Sequence, residues 1–319
     1  MSNPFIQLAH RGKNQWWRYL IGALLVLFFF QFVGAIARYL IAAVVLVLYS
    51  LGGGDLAAAI PDINQIELGG QVVDGVSPIV TYIFLNSVFP FFLLGIYLAL
   101  KFLHGRSLFT LITPTKRINW KRIAQGFMVH TILLVILFFV SYLRSPEDFA
   151  LTFEPGAFLA FLIPVLLFTP LQTATEELFF QGYLLQGIGS HLGKWPAIIL
   201  PSLLFTLLHA SNPEVLTQDS WQSTASIVLY YFIVNAFSAW ITIKDKSLEL
   251  ALGIHAANNM TLFLLVTRSN SVVPTPALFT TTALEADFSL LLMTALSLWA
   301  FSFIIFRVFK HPTLEAETT

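Results

Sequence analysis

The sequence predicts an all-α membrane protein, a polytopic bundle of about eight transmembrane helices. Of its 319 residues, 57% are hydrophobic and 11% are charged, and the mean hydropathy is +0.78, outside the range of a water-soluble domain. Apolar runs recur along the whole chain, long enough to cross ~30 Å of hydrocarbon as helices rising ~1.5 Å per residue. The charges between those runs are sorted by side.

The first run, Tyr19 to Ser50, follows a basic tail, and Ala35-Ile36-Ala37 has the small-x-small form of a signal cleavage site. The apolar stretch continues to Leu51, too long for a signal peptide, and so predicts an uncleaved first span. Arg38 then lies near the outer interface, where its long side chain can reach water. Gly52-Gly53-Gly54-Asp55 lacks the lysine and helix start of a phosphate loop and predicts a flexible turn.

Further spans are predicted from Ile79 to Leu100, Ile123 to Leu143, Ala157 to Gly189, Pro196 to Ala210, Thr224 to Ile243, Leu248 to Thr267 and Phe288 to Phe306. Pro164 and Pro170 fall inside the fourth, predicting a kink or split there, a restart near Gln172, and Glu176 on a helical segment of its own. The stretch RSNSVVPTPALFTTTALEAD after Thr267 is rich in Ser, Thr and Pro and predicts a surface loop.

With the N-terminal tail inside, the inner segments hold all but three of the 17 Lys and Arg, the exceptions being Arg38, Arg144 and Arg268. The outer segment from Gly52 to Pro78 carries Asp55, Asp62, Glu67 and Asp74 and no cation. Eight spans in the cell membrane with both termini cytoplasmic fit this sorting. The zero net charge therefore says little about partners. No nucleic-acid patch is indicated, and the basic loop from Lys101 to Arg122 reads as a topology determinant near anionic headgroups. Absence of cysteine excludes disulfides, a thiolate nucleophile and a thiolate metal site. The chain divides by position into N-terminal helices (1–150), a core (151–270), and an outer loop, last span and cytoplasmic tail (271–319).

Glu176 and Glu177 are the most costly residues for such a chain, since an ionised carboxylate at mid-membrane costs ~3 kcal/mol even on insertion-based figures, and two neighbours repel. His209 follows Phe205 by four positions, and His255 precedes Asn259 by four, a spacing that places both members on one helix face. His130 in the third span reads as a packing residue. If the three helices carrying Glu and His faces converge, they form a polar chamber able to hold a water, with a carboxylate to take its proton and donors for an oxyanion. Hydrolysis is the natural chemistry.

The segments EELFFQ (Glu176 to Gln181), FTLLH (Phe205 to His209) and HAANN (His255 to Asn259) resemble, in order and spacing, the E-E-x-x-x-R, F-x-x-x-H and H-x-x-x-N motifs of the CAAX-prenyl-protease and bacteriocin-processing (CPBP, Abi) family of intramembrane endopeptidases. The likeness covers roughly a third of the chain, from Phe158 to Thr267. It implies a membrane protease whose catalytic core is 151–270. It further implies that Glu176 is the general base on the attacking water, that His209 helps hold the water, that His255 and Asn259 stabilise the oxyanion, and that Glu177 supports them. Phe205 opens the second motif, and Gln181 stands as a supporting residue at the last position of the first. Substrates would be peptides or lipidated proteins at the bilayer. Glu176, His209 and His255 could ligate zinc, although the chain has no HExxH, and the same groups suffice to activate water without metal.

Gln181 departs from the family arginine. An arginine four residues after Glu177 would neutralise it. Without one, Glu177 would be held protonated or met by another basic group, the first being the more economical. The departure keeps a catalytically silent scaffold or immunity protein open. A proton-coupled transporter would show paired helix interruptions in two related halves, and the proline-broken segment occurs once.

Overall fold

The computed structural model describes residues 3–53, 78–115, 117–268, 271, 273, 275–281 and 286–310. The acidic residues Asp55, Asp62, Glu67 and Asp74, the cation Lys116 and the tail after Lys310 lie outside the described residues.

Eight helices carry the bundle. They are α1 (Trp16–Leu48, the helix itself continuing to Leu51), α2 (Pro78–His104), α3 (Trp120–Arg144), α4 (Pro155–Leu192), α5 (Lys194–Leu208), α6 (Trp221–Asp245), α7 (Glu249–Leu264) and α8 (Phe288–Val308). Their outward faces keep Leu24, Phe32, Ile132, Ile163, Leu207 and Trp299 exposed, the apolar exterior of a multi-pass membrane protein.

Among the described residues, six of the eight are long and apolar enough to cross a membrane, fewer than the eight spans the hydropathy predicted. The other two, α5 and α7, have 15 and 16 residues. At ~1.5 Å per residue they reach about 22–24 Å, short of the ~30 Å of hydrocarbon. α5 gives way to a turn at His209, and Asn212, which precedes Pro213, is extended (φ −65°, ψ 143°), as the residue before a proline favours. Beyond α7 the chain turns into a strand.

The expected split at Pro164 and Pro170, with a restart near Gln172, does not occur; both prolines sit inside a continuous 38-residue helical stretch. The hydroxyls of Thr173 and Thr175 bond back to carbonyls of the same helix, at Thr169 (2.9 Å) and Gln172 (2.8 Å). The irregularity lies instead at Leu178–Leu184, a π-helical turn directly after Glu177.

Two further expectations change. The stretch after Thr267 is not simply a surface loop: Phe279–Thr281 (β3) pairs antiparallel with Phe149–Leu151 (β1) and parallel with Val266–Arg268 (β2), in the order β1-β3-β2. Phe279 packs on Phe138 and Tyr142 of α3 at ring distances of 4.9 and 5.8 Å. The loop from Lys101 to Arg122, read as a topology determinant near headgroups, and the N-terminal tail fold onto each other. Phe5, Ile6, Leu8 and Ala9 are buried, and Arg106, expected in a surface loop, is buried beside them, donating to the Leu8 carbonyl (3.1 Å) and to Gln186 (2.7 Å).

Helix α7 packs against α3, α4 and α6 and is the hub of the site. It meets α3 almost backbone to backbone, because Gly126 and Gly253 face each other's helices, an arrangement only small residues permit. A Cβ at Gly126 would lie 2.6 Å from the Leu250 carbonyl oxygen, and one at Gly253 would collide with Ile123 O and Phe127 N. At its start α7 is anchored by buried Glu249, which accepts from the Asn119 amide (2.7 Å) and pairs with Arg122 at 3.8 Å. Gly253→Ala is therefore expected to lower stability by about 1–3 kcal/mol, the range for overpacking, read as a fall in Tm in detergent, whereas Ala124→Gly on the exposed face of α3 should cost about 1 kcal/mol or less.

Candidate active site

Glu176 and Glu177 end the α-helical part of α4, both buried. His255 of α7 lies between them. Its Nδ1 is 2.9 Å from Glu177 Oε1 and its Nε2 is 3.4 Å from Glu176 Oε2. The second oxygen of Glu177 accepts from Ser238 Oγ of α6 at 3.0 Å. With Nδ1 facing Glu177, Nε2 is the ring nitrogen that faces Glu176 and can exchange a proton with it. Three helices thus build a carboxylate–imidazole–carboxylate bridge, which answers how an apolar bundle keeps two adjacent glutamates: each faces the same imidazole.

Glu177 thus faces a basic side chain, His255, the second of the two arrangements expected in the absence of the arginine. Gln181 does not reach Glu177. The π-helical turn takes in more residues per turn, so side chains after Glu177 rotate off the i, i+4 line that an α-helix would enforce. Gln181, fully buried, donates from Nε2 to Asn235 Oδ1 of α6 at 2.8 Å, and its Oε1 has no hydrogen-bond partner among the described residues.

His209 caps the end of α5. Its Nδ1–H donates to the Phe205 carbonyl at 2.8 Å, which leaves Nε2 as the free acceptor. The imidazole is held as a layer in a stack, 4.2 Å from the Phe205 ring and 4.9 Å from the Tyr231 ring. Phe205 in turn presents its ring to His255 at 6.2 Å. Tyr231 is fixed by donating to Glu214 at 2.6 Å. Asn259 sits one turn beyond His255 on α7, and its Oδ1 accepts from Asn258 at 3.2 Å. Among the described residues, neither His209 nor Asn259 makes a hydrogen bond or ion pair with the two carboxylates; His209 adjoins the bridge through Phe205. His130 is buried against Phe301, as a packing residue would be.

Sequence reasoning missed Ser238, Asn235 and Tyr231. The signal for the first two was present, since Asn235, Ser238 and Thr242 recur at helical spacing on an apolar helix. Asn235→Leu is expected to cost about 1–3 kcal/mol by leaving the Gln181 amide unpaired, and the double variant Gln181→Leu/Asn235→Leu should regain most of it. Thermal unfolding of the three proteins checks this.

Among the described residues, no three His, Asp or Glu side chains gather as metal ligands. His255 turns Nδ1 to Glu177 and Nε2 to Glu176, while His209 bonds its own helix through Nδ1 and keeps Nε2 open.

A buried carboxylate pair and imidazole inside a helical membrane bundle define a class, and residues 155–261, which contain every residue of this site, match the family described as Type II CAAX prenyl endopeptidase Rce1-like. The chain belongs to that protease family. Over 308 residues it is 32% identical to the Uncharacterized protein YyaK of Bacillus subtilis (strain 168), an alignment covering 93% of this chain and 96% of that protein. No solved structure matches the chain.

Proposed function

We propose that the protein is an intramembrane endopeptidase in which Glu176 activates water against a peptide bond of a membrane-associated or lipidated substrate. The observation that carries this reading is the bridge Glu176–His255–Glu177, an acid–base relay inside an apolar bundle. The water oxygen attacks the scissile carbonyl carbon as its proton passes to Glu176; the carbonyl becomes an oxyanion, and the proton then goes to the leaving amine as the C–N bond breaks. His255 orients Glu176 and shares its proton. Glu177 and Ser238 hold His255 in the required tautomer. His209 Nε2 accepts a hydrogen from the water, and the Asn259 amide, one turn along α7 from His255, donates to the oxyanion. The catalytic unit is 151–270, with both termini of the chain cytoplasmic in the cell membrane.

The test is incubation of detergent-purified protein with quenched peptides with and without a C-terminal prenyl group. Cleavage of a subset, with the products mapped to one bond, is the expected result. One observation favours a second reading, a catalytically silent scaffold: Gln181 where the family pattern has arginine. Folded wild type that cuts no member of either peptide set would support it.

A further inference from the structure

A second feature lies away from the carboxylates, between α6 and α8. There a cavity of about 490 Å³ opens to the exterior of the bundle, a volume in the range of ligand pockets, about 300–1,000 Å³. Its walls are aromatic. Trp240 stands on α6 and Trp299, Phe303 and Phe306 on α8, with Trp299 and Phe303 stacked at 5.8 Å and both well exposed. One end of the groove is cationic. Lys244 Nζ is held over Trp240 (4.5 Å) and Phe306 (4.1 Å), and Arg307 lines the same cavity, near enough that the two charges repel. Among the described residues no carboxylate pairs with either.

Two adjacent cations above a greasy groove are favourable where an anion sits between them and an apolar chain lies below. We propose that this groove binds one anionic phosphoglycerolipid, its phosphate between Lys244 and Arg307 and an acyl chain along Trp299 and Phe303. A zwitterionic lipid adds a positive headgroup facing the same cations, so the site discriminates by charge. A prenyl tail alone would use the aromatic wall and leave both cations unanswered.

Native mass spectrometry of the intact protein in detergent, with an equimolar mixture of dioleoyl phosphatidylglycerol and dioleoyl phosphatidylcholine, tests the assignment. The first lipid bound should be phosphatidylglycerol by about tenfold or more, from two basic groups near one phosphate. Lys244→Gln/Arg307→Gln should abolish that preference. Ser302→Trp, which fills the groove and leaves both charges, should lower phosphatidylglycerol occupancy. Equal occupancy by the two lipids in wild type would mean unselective boundary lipid and overturn the proposal. So would a preference that survives in both variants, or displacement of the bound phosphatidylglycerol by a farnesylated peptide carrying no phosphate, which would make the groove a substrate-tail site.

Discussion

Glu176→Gln is expected to reduce peptide hydrolysis by about 10²–10⁴-fold, the usual loss when a general base is removed, with the bundle still folded. Glutamine has nearly the volume of glutamate and keeps an oxygen or an amide facing His255 Nε2, now 3.4 Å from the carboxylate, so the packing of α4 on α7 should survive. What it cannot do is take a proton from water. The loss should fall on kcat, because the interaction exists only once the proton is in transit, and KM should move little. Single-turnover cleavage by wild type and variant, with thermal unfolding as a control, checks both halves. A variant retaining more than a tenth of wild-type kcat would assign the base elsewhere.

The second large effect is expected at Glu177. Glu177→Ala removes the acceptor of His255 Nδ1, at 2.9 Å, and of Ser238 Oγ, at 3.0 Å, so the imidazole loses the bond that sets its tautomer and its ring plane. Activity should drop by about 10²-fold, equivalent to about 2.7 kcal/mol in the barrier. Stability should fall too, since a buried donor left unpaired costs about 1–3 kcal/mol. Glu177→Gln separates the contributions. It retains a neutral acceptor for Nδ1, so stability should be nearly restored while activity stays below wild type for want of the charge. If Glu177→Ala and Glu177→Gln are equally active, neither volume nor a neutral acceptor at this position contributes, and any loss belongs to the charge.

The polar residues of the site were legible because of where they lie. In a chain with 11% charged residues, an acidic pair between apolar runs has no inexpensive explanation, and Glu176, Glu177, His209 and His255 stand out on that ground. Serine and asparagine do not. A hydroxyl can return to its own helix, as Ser202 does to Ile198 at 2.7 Å, so Ser238 on α6 resembles any other tolerated small polar residue until its partner is seen. Hydropathy likewise reported which segments avoid water; it predicted about eight spans, and six described helices are long and apolar enough to cross. It sums side-chain transfer over a window and does not report where a helix ends, and α5 stops at Leu208, ahead of the turn that begins at His209.

The class of protein, the helices that carry the chemistry and the acidic and imidazole groups on them all follow from composition, periodicity and the high cost of charge in hydrocarbon, which act residue by residue along the chain. Which of those groups meet is a matter of three dimensions. The π-helical turn after Glu177 rotates Gln181 onto Asn235, and the glycine contact of α7 with α3 accompanies the placement of His255 between two carboxylates. The layered rings of Phe205, His209 and Tyr231 join two helices separate in sequence. These outcomes depend on backbone phase and on distances between helices, and neither quantity is additive over the residues of a single segment.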